Sequence, residues 1–532
     1  MKRIITVLIL IFCLSCQTTE KKEQDQLGVV HLEVSGNEKA REHFKKGLLL
    51  LHSFEYTDAR EAFHKAISAD PDMGMAYWGE AMTYNHSIWF EQDFEKAVES
   101  LEKMGSREHL KLDDPLEQDL VAGVKILYQP EKSKAQRDQE YAGYLKALYQ
   151  KYPGNHEVAS FYALSLLGTV SEGRDYEVYG EAARIAREVL NENPKHPGAL
   201  HYLIHSYDDP DHAHLALNAA DAYAKVAPDA SHALHMPSHI YVAKGMWEQV
   251  VASNEESYQA SLNRMERKSL SNDARGYHSY HWLQYGYLQQ GRTDLAKEMT
   301  INLSDYVAAT PSKRGRSHMV FLKGTYLVET NDWTDAIGNI PVEVADLNIT
   351  IRAQYMFIEG LKASMEKDLE ALLEIIQNME TDLSREAVLV DNLEKGYPGC
   401  TNLTRETANQ TDLQFTQAMI FQLKAYKAIL ENDPELTERF LKEAVAIEER
   451  LSYSYGPPVI QKPTLEMYAD WLLTQGRASE ALKTYQKALQ RTPNRTLTLE
   501  GALKAAEMAD KPALVKQFKE QLSNNMKYPQ KA

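Results

Sequence analysis

Histidine residues are concentrated in one short part of this sequence. The chain has 18 histidines, and eight of them lie between His196 and His239. Within that stretch the spacing H-x3-H occurs twice, at His201/His205 and at His235/His239, with 34 residues between equivalent positions. Neutral imidazole is a suitable ligand for zinc, copper, iron or nickel, so these four residues are candidate metal ligands. The wider candidate set adds His232, His278, His281 and Asp208.

The paired histidines do not specify a reaction. The residues between them include no glutamate, so the H-E-x-x-H motif of zinc proteases is absent. The same imidazoles also suit a metal-free groove that binds an anionic peptide or sugar. The charge of such a groove changes near pH 6.5, where imidazole titrates. They also suit ordinary structural packing. From the sequence, all three interpretations stay open.

Helix geometry explains how two such pairs could act together. Side chains four residues apart on a helix have Cβ atoms about 5–6 Å apart, and packed helices lie about 8–10 Å apart. Two pairs on neighbouring helices would bring four imidazoles within reach of metal–nitrogen bonds of about 2.0–2.1 Å. Pro237 complicates this geometry, because proline either begins a helix or kinks it. If a helix begins at Pro237, the equivalence of His235 with His201 weakens.

Small and aromatic residues recur along the chain with a similar order. Near the N-terminus they are Gly47, Ala59, Phe63, Ala66 and Pro71. The C-terminal region repeats the order at Ala469, Leu472, Gly476, Ala481, Tyr485, Ala488 and Pro493. In between, Ala182, Ala186 and Pro194 recur 34 residues later as Ala216, Ala220 and Pro228. Two further turn-and-helix units are marked by Gly291 with Ala296 and by Asn331 with Ala336.

This pattern resembles the tetratricopeptide repeat, a 34-residue pair of antiparallel helices. The resemblance implies an all-α fold, an α-solenoid with a concave groove. We expect one array over residues 39–341, degenerate helical repeats over 342–435 and a second array over 436–532. Matches are also poor over 95–151, where Asp114 before Pro115 still predicts a helix start. The segment Ser452 to Pro463 is predicted to be a loop.

The resemblance also implies which side chains face the groove. In tetratricopeptide proteins, positions 2, 5, 9 and 12 of the first helix of each unit line the concave side. Position 5 is occupied by His201, His235 and His281, and position 9 by His205 and His239. Position 2 is occupied by His232, His278 and His318, and position 12 by Asp208. All nine residues are therefore expected in the groove.

The N-terminus predicts export. Lys2 and Arg3 precede an apolar run that ends before Ser15 and Cys16, which is typical of a secretory signal peptide. Residues 1–16 resemble a bacterial lipoprotein signal, although Cys13 stands where that family usually has leucine. The resemblance implies a lipid anchor on Cys16 and, because Gln17 follows, an outer-membrane location in the cell envelope. Residues 17–38 are expected to be a flexible tether, and Cys400 then has no disulfide partner.

Composition limits the function further. The formal net charge is −17 and hydrophobic residues make up 43% of the chain, which is ordinary for a globular protein. The acidic balance argues against a nucleic-acid partner, which favours a basic patch. We therefore expect a cell-envelope scaffold whose groove recognises a peptide, a protein or a small ligand. The alternative is a metal-dependent enzyme or metal-binding protein that uses the paired H-x3-H motifs.

Overall fold

A computed structural model describes residues 26–394 and 407–527 of the chain. The first helices are α1 (Glu38–His52), α2 (Tyr56–Ala69), α3 (Gly74–Met82), α4 (Phe94–Gly105), α5 (Pro115–Leu127), α6 (Lys134–Lys151), α7 (His156–Gly168), α8 (Tyr176–Glu192), α9 (Pro197–Ser206) and α10 (Leu217–Val226). The next are α11 (Ser231–His235), α12 (Pro237–Ala243), α13 (Trp247–Lys268), α14 (Tyr277–Gln289), α15 (Thr293–Ala309), α16 (Lys313–Thr330) and α17 (Ile349–Glu366).

The C-terminal helices are α18 (Leu369–Glu394), α19 (Gln410–Leu430), α20 (Pro434–Arg450), α21 (Thr464–Thr474), α22 (Ala478–Arg491), α23 (Thr496–Met508) and α24 (Pro512–Asn525). Short 3-10 helices lie at Ser87–Trp89, Ala213–Leu215, Asn272–Ala274 and Ala336–Asn339. In the described residues, the only strands are the antiparallel pair β1 (Asn85–His86) and β2 (Glu91–Gln92).

Helix pairs of tetratricopeptide type build the array. Asn37 caps α1 by accepting a hydrogen bond from the Ala40 backbone N–H, which satisfies one of the free donors of the first turn. Gly47 then lets the Phe63 ring of α2 approach, since a Cβ atom on Gly47 would lie 2.7 Å from the Phe63 Cε1 atom. The same relation of small residue and ring holds at Gly501 and Tyr485 in the C-terminal array. The predicted all-α solenoid is confirmed.

The poorly matching segments are also helical. Asp114 and Glu117 form a capping box at the start of α5, as the Asp114-Pro115 sequence predicts, and α17, α18 and α19 occupy most of residues 342–435. One prediction is wrong. Ala336 begins only a 3-10 helix, Ala336–Asn339, because Pro341 follows closely and cannot donate the backbone hydrogen bond that an α-helix needs.

The described part of the predicted tether is packed on the solenoid. Within the described residues, the segment 26–37 has no regular secondary structure and is packed on the solenoid. Leu27 and Val30 are buried, and the Val29 backbone N–H donates to the Lys195 carbonyl at 2.9 Å. Val34 is buried as well, so residues 26–37 pack against the array and are not a flexible tether.

Successive turns of the solenoid contact each other, so its interior is enclosed. Three of the joining hydrogen bonds are His232 N to Glu55 Oε1 (2.9 Å), Arg174 N to Ser452 Oγ (3.2 Å) and Trp247 Nε1 to Asn494 O (2.9 Å). The apolar core runs between the helix layers along the whole array. Among the described helices, none has the length and apolar character needed to cross a membrane.

Candidate metal centre

Six histidines from four helices of the array meet inside the solenoid. They are His201 and His205 on α9, His232 and His235 on α11, His239 on α12 and His278 on α14, and we call them the histidine cluster. Met236, between α11 and α12, has helical dihedral angles (φ −54°, ψ −35°). Pro237 therefore interrupts the hydrogen-bond ladder without changing the helix direction, and the equivalence of the two H-x3-H pairs holds.

The two pairs have nearly the same ring spacing, although the rings are tilted by 39° in the first pair and by 79° in the second. The ring centroids are 4.9 Å apart for His201 and His205, and 5.1 Å apart for His235 and His239. The pairs also meet each other, since His205 and His239 lie 5.2 Å apart in an edge-to-face arrangement. His232 contacts His201 at 5.0 Å, and His278 contacts His235 at 4.6 Å. The convergence expected from the 34-residue spacing is confirmed as a fact of geometry.

Fixed acceptors orient the four paired rings. The Nδ1 atom of His201 donates to the His52 carbonyl at 2.8 Å. The Nδ1 atom of His235 donates at 2.7 Å to Asn254 Oδ1, whose amide orientation is set because Asn254 Nδ2 donates to the Val250 carbonyl at 2.8 Å. A carbonyl oxygen can only accept. In each neutral ring the hydrogen therefore sits on Nδ1, and the Nε2 atom carries the lone pair.

Asp208 performs the same task for the other two rings. Its Oδ2 atom accepts from Nδ1 of His205 and from Nδ1 of His239, both at 3.1 Å. Its Oδ1 atom accepts from Arg174 Nη1 at 2.6 Å. Burial raises the pKa of the Asp208 carboxyl, but Arg174 and the two imidazoles outweigh that effect and hold the pKa well below its usual range. One buried carboxylate thus fixes a ring from each pair.

The Nε2 atoms of the cluster face one another. Those of His205, His235 and His239 are buried without a hydrogen-bond partner. Those of His201 and His232 lie 3.2 Å apart and share a hydrogen bond, in which His232 Nε2 donates to the lone pair of His201 Nε2. Buried polar atoms normally have partners, so several lone pairs pointing into one space are a strong indication of a ligand. An orienting hydrogen bond on Nδ1 with a free Nε2 atom is also the usual state of a metal-binding histidine.

Burial favours the neutral form of four rings of the cluster. It lowers the pKa of His201, His232 and His235 well below the usual value, and neighbouring imidazoles lower it further. Burial also lowers the pKa of His239 to about 4, although Asp208 acts in the opposite direction. Metal binding requires the neutral ring, so these residues are ready to act as ligands at neutral pH.

The prediction that the four paired histidines line an open groove is wrong. His201 is 0% exposed, His235 and His239 are 2% exposed and His205 is 4% exposed. Three aromatic side chains cover the rings: Phe54 contacts His201 at 4.2 Å, Trp282 contacts His239 at 4.6 Å and Tyr455 stacks on His239 at 4.9 Å. Tyr455 belongs to the predicted loop 452–463, which fills the interior that an open solenoid would leave as a groove.

Two predicted members lie apart from the cluster. His281 stacks on Phe321 at 5.0 Å and has no place in any close group of potential ligands among the described residues. Burial lowers its pKa to about 3. His318 lies 6.5 Å from His278, and its Nδ1 atom donates to the Arg314 carbonyl. The repeat position of His281 therefore predicts its helix correctly, but it does not predict that the ring packs on Phe321 instead of joining the cluster.

A second buried group is built differently. Glu157 lies between His52 and His196, with distances of 2.7 Å and 3.1 Å from its carboxylate oxygens to their Nε2 atoms. The other ring nitrogen of each histidine also has a partner, Tyr202 Oη for His52 and the Ala199 backbone N–H for His196. All polar atoms of this group are satisfied, so it stabilises the fold around the cluster.

Several supporting residues have no signal in the sequence. Arg174 lies in the loop before α8 and also donates to the carbonyls of His205 and Ser206. Asn254 and Tyr455 come from α13 and from the distant loop. Asp208, a candidate ligand in the sequence, instead accepts hydrogen bonds from His205 and His239 in the structure. Cys16 and Cys400 lie outside the described residues.

Comparison with known proteins assigns no function to this chain. No family model and no curated protein matches this chain. The structure of the human IFIT1 dimer with m7Gppp-AAAA has 13% identity and a TM-score of 0.36, and the match covers 92% of this chain and 96% of that one. Yeast Tom70 has 11% identity and a TM-score of 0.31, with 91% and 93% covered. The TPR domain of P58(IPK) has 14% identity and a TM-score of 0.20, with 89% and 99% covered. The fold assignment rests on the helix pairs of this structure.

Proposed function

We propose that this chain is a metal-binding tetratricopeptide-type protein, and that the histidine cluster holds transition-metal ions inside the solenoid. The observation that carries the proposal is the orientation of the rings. The Nδ1 atoms of His201, His205, His235 and His239 are held by fixed acceptors, and their Nε2 atoms turn inward. Zinc, copper, iron and nickel all accept such ligands.

Burial favours this function over recognition of a peptide by a histidine-lined groove. A peptide needs a surface that it can reach, and the paired rings are covered by Phe54, Trp282 and Tyr455. Purely structural packing is also a poorer explanation. It would leave three buried Nε2 atoms without partners, and each such atom costs about 1–3 kcal/mol.

Metal analysis of the purified protein tests the proposal. The protein is prepared without a polyhistidine tag, and the metal content is measured by mass spectrometry after dialysis. We expect stoichiometric metal in the wild type and its loss in His205→Ala with His239→Ala. The double variant His205→Asn with His239→Asn keeps more side-chain volume than the double alanine variant. Circular dichroism shows whether it is folded, so that metal loss can be separated from unfolding.

His212→Ala is the matched control. His212 lies in the same histidine-rich stretch and is held by Asp209 at 2.9 Å, but its ring is not part of the cluster. We expect the control to keep the metal of the wild type. A wild-type protein free of metal, which also shows no thermal shift with zinc, copper, nickel or iron, contradicts the proposal.

An interaction scaffold is the second candidate function, and an open groove favours it. The groove has a volume of about 790 Å3 and is formed by α13, α14 and α15 with Pro228 and Leu234. Tyr258, Tyr287 and Met299 line it, with Glu255 and Glu298 among the polar residues. This surface does not include the cluster. A partner that co-purifies with the wild type and with the cluster variants, but is lost in Tyr287→Ala, would support this role.

We also propose that the protein works at the cell envelope, attached through Cys16. The support comes from sequence alone, namely the signal-like residues 1–16, because the structure does not describe this segment. Inhibition of lipoprotein signal peptidase by globomycin should leave an uncleaved precursor. Cleavage that is insensitive to globomycin would contradict the anchor but would leave the metal site unaffected.

A further inference from the structure

The cluster divides into two groups that repeat the same positions of the helical unit. His201 and His205 stand at positions 5 and 9 of one unit, and His232 stands at position 2 of the next. His235 and His239 stand at positions 5 and 9 of that next unit, and His278 stands at position 2 of the unit after it. Each group is therefore a copy of the other, moved by one repeat.

Distances within each group suit one metal ion. One ring nitrogen from each of His201, His205 and His232 lies within 4.8 Å of the other two, and the same holds for His235, His239 and His278. The His201 and His232 Nε2 atoms are 3.2 Å apart. Two nitrogens bound to one tetrahedral ion at 2.0–2.1 Å are about 3.3 Å apart. The two nitrogens share a hydrogen bond at this distance, and a metal ion could replace the proton between them with little movement of the rings.

The next repeat shows what an incomplete group looks like. Its three positions are occupied by His281 (position 5), Tyr285 (position 9) and His318 (position 2 of the following unit), so the middle position has no histidine. The Tyr285 hydroxyl accepts a hydrogen bond from Arg495, and the His281 ring turns to Phe321. The rings converge only where all three positions are histidine.

The charge of the site favours ions of low charge. Imidazole is a neutral ligand, and the two buried carboxylates beside the cluster, Asp208 and Asp209, share one cation, Arg174, at 2.6 Å and 3.6 Å. At most one net negative charge is therefore present to offset the charge of bound ions. Because the Born cost of burying an ion rises with the square of its charge, two divalent ions are far more costly here than two monovalent ions. Copper is the metal on this list with a stable monovalent state, and divalent copper also leads the affinity order for nitrogen sites.

We propose that the cluster is a dinuclear copper site, with one ion bound by His201, His205 and His232 and the other by His235, His239 and His278. This inference rests on the proposed metal-binding function and adds the number and identity of the ions. Three ligands leave each ion with an open coordination position. Asp208 connects the two ions, because it orients His205 in one group and His239 in the other.

Anaerobic titration with copper(I), in competition with bicinchoninate, tests this inference on the full chain without a polyhistidine tag. We expect two tightly bound equivalents in the wild type. His232→Ala and His278→Ala should each leave one equivalent that resists the chelator. Both side chains are less deeply buried than the paired rings, so these variants are expected to fold. His318→Ala is the control at the equivalent position of the next repeat and should keep two equivalents.

The possible failures are distinguishable. One equivalent in the wild type, or loss of both equivalents in His232→Ala alone, overturns the two-site arrangement and leaves the proposed metal binding intact. Tight zinc binding without copper binding overturns the choice of metal. The absence of any bound metal overturns both this inference and the proposed function.

Discussion

Replacement of Asp208 by asparagine should weaken metal binding more than any other change outside the ligands. The carboxylate accepts hydrogen bonds from His205 and His239 through one oxygen and from Arg174 through the other. An asparagine side chain has one oxygen and one NH2 group, so it cannot accept on both sides. Each of its two orientations is therefore unfavourable for a different reason.

If the amide NH2 group faces the rings, both rings must accept through Nδ1. Their hydrogens then move to Nε2 and point at the metal positions. If the amide oxygen faces the rings, the NH2 group faces the guanidinium of Arg174, a donor against a donor. Arg174 is only 4% exposed, so its charge would then lack its closest partner.

The expected magnitude follows from these contacts. Loss of a hydrogen bond that orients a metal ligand typically lowers metal affinity by about 10–100-fold, or about 1.4–2.7 kcal/mol. Because Asp208 serves one ring in each group, we expect this loss at both sites. Breaking a buried ion pair costs about 3–5 kcal/mol of stability, and Asp209, 3.6 Å from Arg174, should reduce that cost.

Affinity is measured by competition with a chromophoric chelator, and stability by urea unfolding of the metal-free protein. Asp209→Asn is the matched control, since Asp209 is an equally buried carboxylate that holds His212 instead of a cluster ring. We expect the control to bind metal like the wild type. An Asp208→Asn variant whose affinity stays within about twofold of the wild type would refute the role of Asp208.

Three further predictions concern the cover, the neighbouring buried group and pH. Gly456→Ala would place a Cβ atom 2.3 Å from the Trp282 ring, at a residue whose φ is +102°. The loop should therefore shift, which lowers the free energy of unfolding by about 1–3 kcal/mol and lets a chelator remove metal faster. An unchanged removal rate would contradict a covering role. Glu157→Gln should lower the free energy of unfolding by about 3–5 kcal/mol with no change in bound metal, and a loss of metal would show that this group is not only structural. The pKa of His239, about 4 in the folded state, lies below the unfolded value of about 6.5, so the unfolded chain takes up protons that the folded chain does not. The free energy of unfolding should therefore fall as the pH is lowered from 6.5 to 4, by about 1 kcal/mol per pH unit for each such ring. Urea unfolding that gives the same stability at pH 5 and at pH 7 would contradict this prediction.

The repeat period allowed the sequence to predict most of the cluster. Residues four apart on a helix share a face, and equivalent positions of consecutive repeats are neighbours, so the meeting of His201, His205, His235 and His239 followed from spacing. His281 satisfied the same rule but stacks on Phe321. Its direction depends on a partner in another helix, and spacing along one helix does not report that.

The sequence pattern could not predict that the solenoid closes around the cluster. Tyr455 is more than 200 residues from His239 in the chain, yet it stacks on that ring. Repeat proteins make mainly nearest-neighbour contacts, so the pattern predicted an open groove with accessible histidines. The burial of the cluster, and with it the preference for metal over a peptide ligand, required the three-dimensional arrangement.

X-ray absorption spectroscopy of the metal-loaded protein tests the central claim most directly, because it reports the atoms bound to the ion. We expect a first shell dominated by nitrogen at about 2.0 Å, with the outer-shell scattering of imidazole rings, and loss of that pattern in His205→Asn with His239→Asn. A first shell dominated by oxygen or sulfur, with no imidazole scattering, would show that the metal is bound elsewhere and would contradict a histidine metal centre.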